Sequence, residues 1–278
     1  MKYTAVHLFF DKEKTHISDL LASHLGEIDY DSFVESETGL DAYILSTKFD
    51  EKVLKKHLED FSFEDNIAFT HDEPEEKNWN EEWEKYFFEP IIISDKCVIH
   101  SSFHNNFPKC KYDITIDPKM AFGTGHHETT SLMLEEILEM KLEDKKLLDM
   151  GCGTSVLAIL AEKCGASKIT AIDIDDWCTE NSQENIQLNE ANKIEVLLGG
   201  AELLEGMHFD VILANINRNI LLTDMQSYVN CLDADGELYM SGFYVQDVQI
   251  LEEKALEFGL KLNYFKEKNN WALVKMTF

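Results

Sequence analysis

The chain has 278 residues, 44% of them hydrophobic and 11% aromatic, which excludes a disordered polymer and fits about two domains of ~150 residues, each with its own core. Its 53 acidic against 25 basic side chains give a net charge of −28, which repels phosphate backbones, argues against free nucleic acid as substrate and suits a basic polypeptide partner. The same acidity also serves solubility alone. Six cysteines, Cys97, Cys110, Cys152, Cys164, Cys178 and Cys231, form no C-x-x-C pair, so neither a disulfide framework nor a zinc site is expected, in keeping with a reducing cytoplasm.

At the amino end, YTAVHLFF is apolar but is cut off by DKEK with no small-residue cleavage site behind it, so a strand is expected there and not a signal peptide. No window reaches the ~18 apolar residues of a membrane span. Residues 2–10 alternate as a strand, 15–25 carry helical spacing, and 33–35 and 40–46 flank a turn at Gly39. A second helix over 50–59 and a strand over 67–72 complete the run. That β-α-β-β-α-β succession predicts a ferredoxin-like α+β domain over residues 1–75, serving as a packing module or for substrate recognition. An acidic linker over 76–90 follows, in which Trp79, Trp83, Phe87 and Phe88 recur at spacings near four, as an apolar stripe on a short helix.

The remainder, 91–278, is expected to form one domain. Strands are predicted at 146–150, 168–173, 194–198, 209–214 and 237–241, with helices at 156–164, 178–188, 220–229 and 245–258. Alternation of this kind implies an α/β fold with a parallel, Rossmann-like sheet whose ligands bind at the carboxyl ends of the strands. The last two strands, 261–267 and 271–277, are joined by KNN, which permits an antiparallel hairpin but no crossover.

LLDMGCGTSVLAIL, residues 147–160, sets Gly151 and Gly153 between a buried strand and an apolar helix, where missing side chains let a ligand approach the backbone. Asp173 ends the next strand 22 residues after Gly151, near the spacing at which a carboxylate accepts ribose hydroxyls. Together they point to an adenosine cofactor. Asp149 sits awkwardly beside a pyrophosphate but suits the cationic S-adenosylmethionine, unless it merely caps local backbone, and Ser155 stands where a dinucleotide fingerprint has its third glycine. Asn215, just after the fourth strand of this domain, offers a carboxamide that can accept from an amine N–H, or simply forms a turn.

DPKMAFGTGHHETT, residues 117–130, precedes a threonine-led helix. It lacks the lysine of a phosphate-binding Walker loop. Neither His126 with His127 nor His100 with His104 has acidic or cysteine neighbours at zinc-site spacing, so no metal is expected.

These motifs, with AIDID and DVILANI, resemble those of the bacterial enzymes that methylate large-subunit ribosomal protein eleven, the PrmA family, over nearly the whole chain. The resemblance implies a class I methyltransferase sheet ending in the hairpin, S-adenosylmethionine as donor, and amino groups of that basic ribosomal protein as acceptors, recognised by the small amino-terminal domain. It places cofactor contacts at Thr130, Gly151, Gly153, Asp173 and Asn215, with Phe122, Gly123, Thr124 and Gly125 as a lid over the methionine part and Asn215 as the catalytic residue. Lys119, His126, Glu128 and Ser155 depart from the family's usual glycine, threonine, proline and glycine, which alters the polarity of the lid and crowds the cofactor loop. A methyltransferase for another amine and a non-catalytic ribosome-associated binding module are the competing readings.

Methyl transfer is an in-line displacement in which alignment of a neutral amine supplies most of the catalysis. Because carboxylates raise an amine's pKa, the acceptor nitrogen is expected to meet Asn215 and backbone carbonyls, with carboxylates kept at a distance.

Overall fold

The computed structural model describes residues 3–10, 17–26, 28–30, 32–36, 39–59, 61, 67–72, 89–117, 119 and 121–278. The chain divides into two compact units, Met1–Trp79 and Asn80–Phe278. The aromatic stripe expected in the linker lies outside the described residues.

In the first unit β1 (Tyr3–Phe9), α1 (Ile17–Gly26), β2 (Ser32–Ser36), β3 (Gly39–Leu45), α2 (Glu51–Glu59) and β4 (Ala68–Asp72) follow one another, and the strands pair antiparallel in the order β2-β3-β1-β4. The alternation of β1 sends Val6 and Leu8 into a core with Leu21, Leu25, Leu40, Ala42, Ile44 and Leu54.

The second unit opens with three short strands, β5 (Ile91–Ile93), β6 (Cys97–His100) and β7 (Tyr112–Thr115), in a sheet of their own. Nothing in the sequence pattern announces them, because three or four residues are too few to display a period. After α3 (Glu128–Ile137) the chain alternates through β8 (Lys146–Met150), α4 (Val156–Lys163), β9 (Lys168–Asp173), α5 (Asp176–Leu188), β10 (Ile194–Leu198), β11 (Phe209–Asn215), α6 (Arg218–Cys231) and β12 (Leu232–Tyr244). It ends with α7 (Val248–Leu256), β13 (Lys261–Lys268) and β14 (Trp271–Thr277).

The large sheet runs β10-β9-β8-β11-β12-β14-β13, parallel from β10 to β12, with β14 antiparallel to both of its neighbours. β14 therefore turns back from β13 and inserts beside β12. Both faces of the sheet are covered. Leu147, Ile169, Val211 and Leu213 pack with α3 and α4, while Leu148, Ile172, Ile212 and Met240 pack with α6 and α7. Two-sided burial explains why these strands read as continuous apolar runs.

Strand order reverses between β8 and β11, since β8 leads on one side to β9 and on the other to β11. The carboxyl ends of these strands flank a crevice, which is where a doubly wound sheet receives its ligand.

Candidate active site

The turn after β8 is shaped by close backbone approach. Gly153 has φ +51°, and a Cβ there would lie 2.1 Å from the carbonyl oxygen of Phe122. Gly151 has φ +73° and faces Ile216. Only glycine occupies such positions without strain. The loop containing Phe122 is sewn to this turn: Thr154 donates its N–H to the Phe122 carbonyl at 3.0 Å and its hydroxyl to the Gly123 carbonyl at 2.6 Å.

Between these segments and the ends of β9, β11 and β12 lies a cavity of about 420 Å³. Phe122, Gly151, Gly153, Asp173 and Asn215 all line it. Thr130 is buried at 1% exposure, and its Oγ1 accepts from Asn215 Nδ2 at 3.4 Å. Gly123 and Gly125 take positive φ in the loop, and Thr124 Oγ1 lies 3.3 Å from His126 Nδ1. Gly125 packs towards Ile99 and Ile91. The wall also includes Met150, Asp175, Cys178, Ile216, Asn217, Asp224, Gly242 and Trp271, which sequence reasoning missed. Asn217 had a signal: its side chain accepts from Asn219 N and Ile220 N and caps α6.

Asp173 places one carboxylate oxygen on Gly153 N at 2.9 Å and the other on Asp175 N at 3.1 Å, which holds the glycine turn against β9. Asn215 differs. With its Nδ2 directed to Thr130, its Oδ1 is buried and has no hydrogen-bond partner, a costly state for a carbonyl oxygen unless a ligand supplies the donor.

Several expectations need correction. Asp149 is fully buried and does not line the cavity; Oδ2 caps Ala158 N at 3.2 Å. Burial, reinforced by the charge of Asp173, pushes its carboxyl to about 8, so at neutral pH it is mostly uncharged and does not supply the negative field proposed for a cationic donor. Ser155 holds φ +61° at the start of α4, but its hydroxyl turns to Ser182 and stays out of the cavity. Asp173, Asp175 and Asp224 all reach the cavity wall.

His127 caps α3 through Nδ1 and stacks edge-on against Phe122 and Trp271, with ring centroids 5.3 and 4.7 Å away. Burial lowers the pKa of His126. Lys119 pairs with Glu184, and Glu128 accepts from Asn269, so these two departures are spent on surface contacts. Asp173, Asp175 and Cys178 bring potential ligand atoms within 4.8 Å of one another. Burial and then the negative charges of Asp173 and Asp175 raise the Cys178 thiol to about 11.

A family model described as ribosomal protein L11 methyltransferase (PrmA) matches residues 9–278. The chain belongs to that family. Family relatives named ribosomal protein L11 methyltransferase include one from Phocaeicola vulgatus, 53% identical over 277 residues and 99% of each chain. Another, from Bacteroides thetaiotaomicron, is 55% identical over 264 residues and 94% of each chain. A solved structure described as ribosomal protein L11 methylase from Lactobacillus delbrueckii subsp. bulgaricus superposes with a TM-score of 0.63 at 26% identity, covering 68% of this chain and 98% of that one. Membership makes the chain an S-adenosylmethionine-dependent protein methyltransferase. The cavity fits that donor: Gly151 and Gly153 form part of its wall, and Asn215 Oδ1 is left without a partner.

Proposed function

We propose that the chain transfers methyl groups from S-adenosylmethionine to amino groups of ribosomal protein L11, working in the cytoplasm. The observation that carries this reading is the Asn215 carboxamide, anchored on Thr130 and buried with Oδ1 unpartnered at the cavity wall. In this reading Asp173 takes the ribose hydroxyls, Gly151 and Gly153 leave space for the adenosyl part, and Phe122 and the Gly123–Thr124–Gly125 segment cover the methionine end.

The donor, when bound, supplies a methyl group activated by its sulfonium. The protein's task is to present a neutral amine. Asn215 Oδ1 accepts an N–H of that amine and so turns the nitrogen lone pair away from itself, while the Thr130 contact keeps the amide from rotating. The displacement is direct, with no covalent enzyme intermediate, and the apolar part of the wall, Phe122, Ile216 and Trp271 among it, favours the uncharged amine. Asp224, whose own carboxyl is raised by burial, is the cavity group best suited to receive the proton shed by an incoming ammonium.

The strand order β2-β3-β1-β4 with two helices supports reading residues 1–75 as a ferredoxin-like module that recognises the protein substrate, with 76–90 as linker and 91–278 as the catalytic domain. A net charge of −28 complements a basic protein and opposes direct binding to nucleic acid. No helix of the described residues is long and apolar enough to cross a membrane.

Incubation with isotope-labelled S-adenosylmethionine and unmethylated ribosomal proteins, followed by mass spectrometry, tests the reading. Label is expected on one large-subunit protein, and Asn215→Ala should slow transfer by on the order of 10²-fold or more. Label on unrelated amines alone would overturn the substrate assignment.

A further inference from the structure

α5 carries asparagines four residues apart at Asn181 and Asn185 and ends at Asn189, all on one face. Asparagine is a poor residue inside a helix, because its amide competes for backbone partners. Asn181 and Asn185 are nonetheless buried, at 1% and 0% exposure. Their amides bond to each other, Asn185 Nδ2 donating to Asn181 Oδ1 at 3.4 Å, and to segments outside the helix. Asn185 Oδ1 accepts from Asp117 N at 2.9 Å, and its Nδ2 donates to the Thr154 carbonyl at 3.1 Å. Asn181 Nδ2 donates to the Asp117 carbonyl at 2.9 Å, so both polar groups of the Asp117 peptide backbone are held from α5. Asn189 grips Thr115 in the same two-handed way, through N–H to Oδ1 at 3.0 Å and Nδ2 to carbonyl at 2.6 Å.

The two grips differ in what they connect. Asn189 fastens β7 to the helix and touches no segment of the cavity wall. Asn185 closes a ring. Asp117 lies just ahead of the Phe122 loop, Thr154 holds the Phe122 and Gly123 carbonyls, and the Asn185 carboxamide joins Asp117 to Thr154. The loop is thus anchored before its start and at its middle through one side chain.

We infer that Asn185 is a positioning residue for the methyl donor: by tying Asp117 to Thr154 it sets the separation between the Phe122 loop and the glycine turn, the two segments that embrace the ligand. This rests on the reading of the cavity as the donor site. Removing the carboxamide leaves the half-buried Asp117 N–H and the buried Thr154 carbonyl unpaired and lets the two segments move apart.

The test compares Asn185→Ala with Asn189→Ala, each of which removes three side-chain hydrogen bonds. Binding of S-adenosylhomocysteine is measured by calorimetry, thermal stability by unfolding, and amide exchange of peptides covering residues 121–127 and 151–157 without ligand. Asn185→Ala should raise Kd about tenfold or more, raise KM for the donor with little change in kcat, and speed exchange in both peptides. Asn189→Ala should lower Tm comparably yet shift Kd by less than about twofold. Should Asn185→Ala fail to fold, Asn185→Asp keeps the acceptor for Asp117 N, loses the donor to Thr154, and should still weaken binding with faster exchange at 151–157. Equal Kd changes for the two alanine variants, or an unchanged Kd in Asn185→Asp, would overturn the inference while leaving the donor site intact. Failure of the unaltered protein to bind S-adenosylhomocysteine would instead overturn the donor-site reading itself, and this inference with it.

Discussion

Two cavities of nearly equal size open at opposite edges of the large sheet, about 420 Å³ at the carboxyl edge and about 430 Å³ at the amino edge. Their polar groups are in opposite states. At the amino edge three carboxylates are answered: Glu136 accepts from Tyr264 and pairs with Lys266 at 2.6 Å, Glu237 holds Lys275 and Tyr239, and Asp210 holds Lys145 at 2.9 Å. Burial opposes the ionisation of Glu237, yet Lys275 and Tyr239 outweigh it and hold the carboxyl below its usual range. At the carboxyl edge Asn215 Oδ1 has no partner, and Gly151 and Gly153, both at positive φ, place bare backbone in the wall. Volume alone does not mark a site. Unspent hydrogen-bonding capacity and missing side chains do.

The largest way to break this contrast is Gly153→Ala. A Cβ 2.1 Å from the Phe122 carbonyl, on a residue at φ +51°, must displace the loop, so binding of S-adenosylhomocysteine by calorimetry should weaken by on the order of a hundredfold. Glu136→Ala probes the opposite edge. It should cost about 1–3 kcal/mol in denaturant unfolding by stranding the Tyr264 hydroxyl and leaving Lys266 with Glu139 alone, while cofactor affinity stays unchanged. A loss of affinity there would show that the two edges are coupled.

Asp149 sharpens the contrast through pH. Its folded pKa of about 8 lies above the ordinary 3.8, so the stability it permits is fully present below pH 3.8 and is lost as pH rises towards about 8. Asp149→Asn, neutral throughout, should therefore give a flatter unfolding-stability profile across that window. An unchanged slope would mean that the carboxylate is ionised in the folded protein.

How far the site was legible follows from where each residue sits. Gly151, Asp173 and Asn215 stand at or next to the carboxyl ends of strands whose apolar runs are plain in the sequence, so their convergence follows from the alternation of strands and helices. Trp271 and Gly242 are different. Trp271 reaches the cavity because β14 inserts beside β12, and a short joint such as KNN says that two strands are antiparallel without saying which neighbour the second will find. Gly242 sits at a bulge where a Cβ would meet the Ile216 carbonyl at 2.2 Å, a constraint between chain segments 26 residues apart. β12 itself extends well beyond the expected 237–241 at both ends, because pairing with β11 and β14 outweighs the polar residues near its ends.

Sequence by itself determined the order of elements outside β5–β7 and the chemistry available at each strand end, because helical and extended backbones impose periods of 3.6 and 2 that a few neighbouring residues reveal. Tertiary structure alone decided how that chemistry is used. Asp149 became a neutral, buried cap because desolvation depends on everything packed around it. Asn185 became a tie between two loops because its amide finds partners 68 and 31 residues away along the chain. Charge state and long-range partnership are properties of the packed interior, and no local pattern carries them.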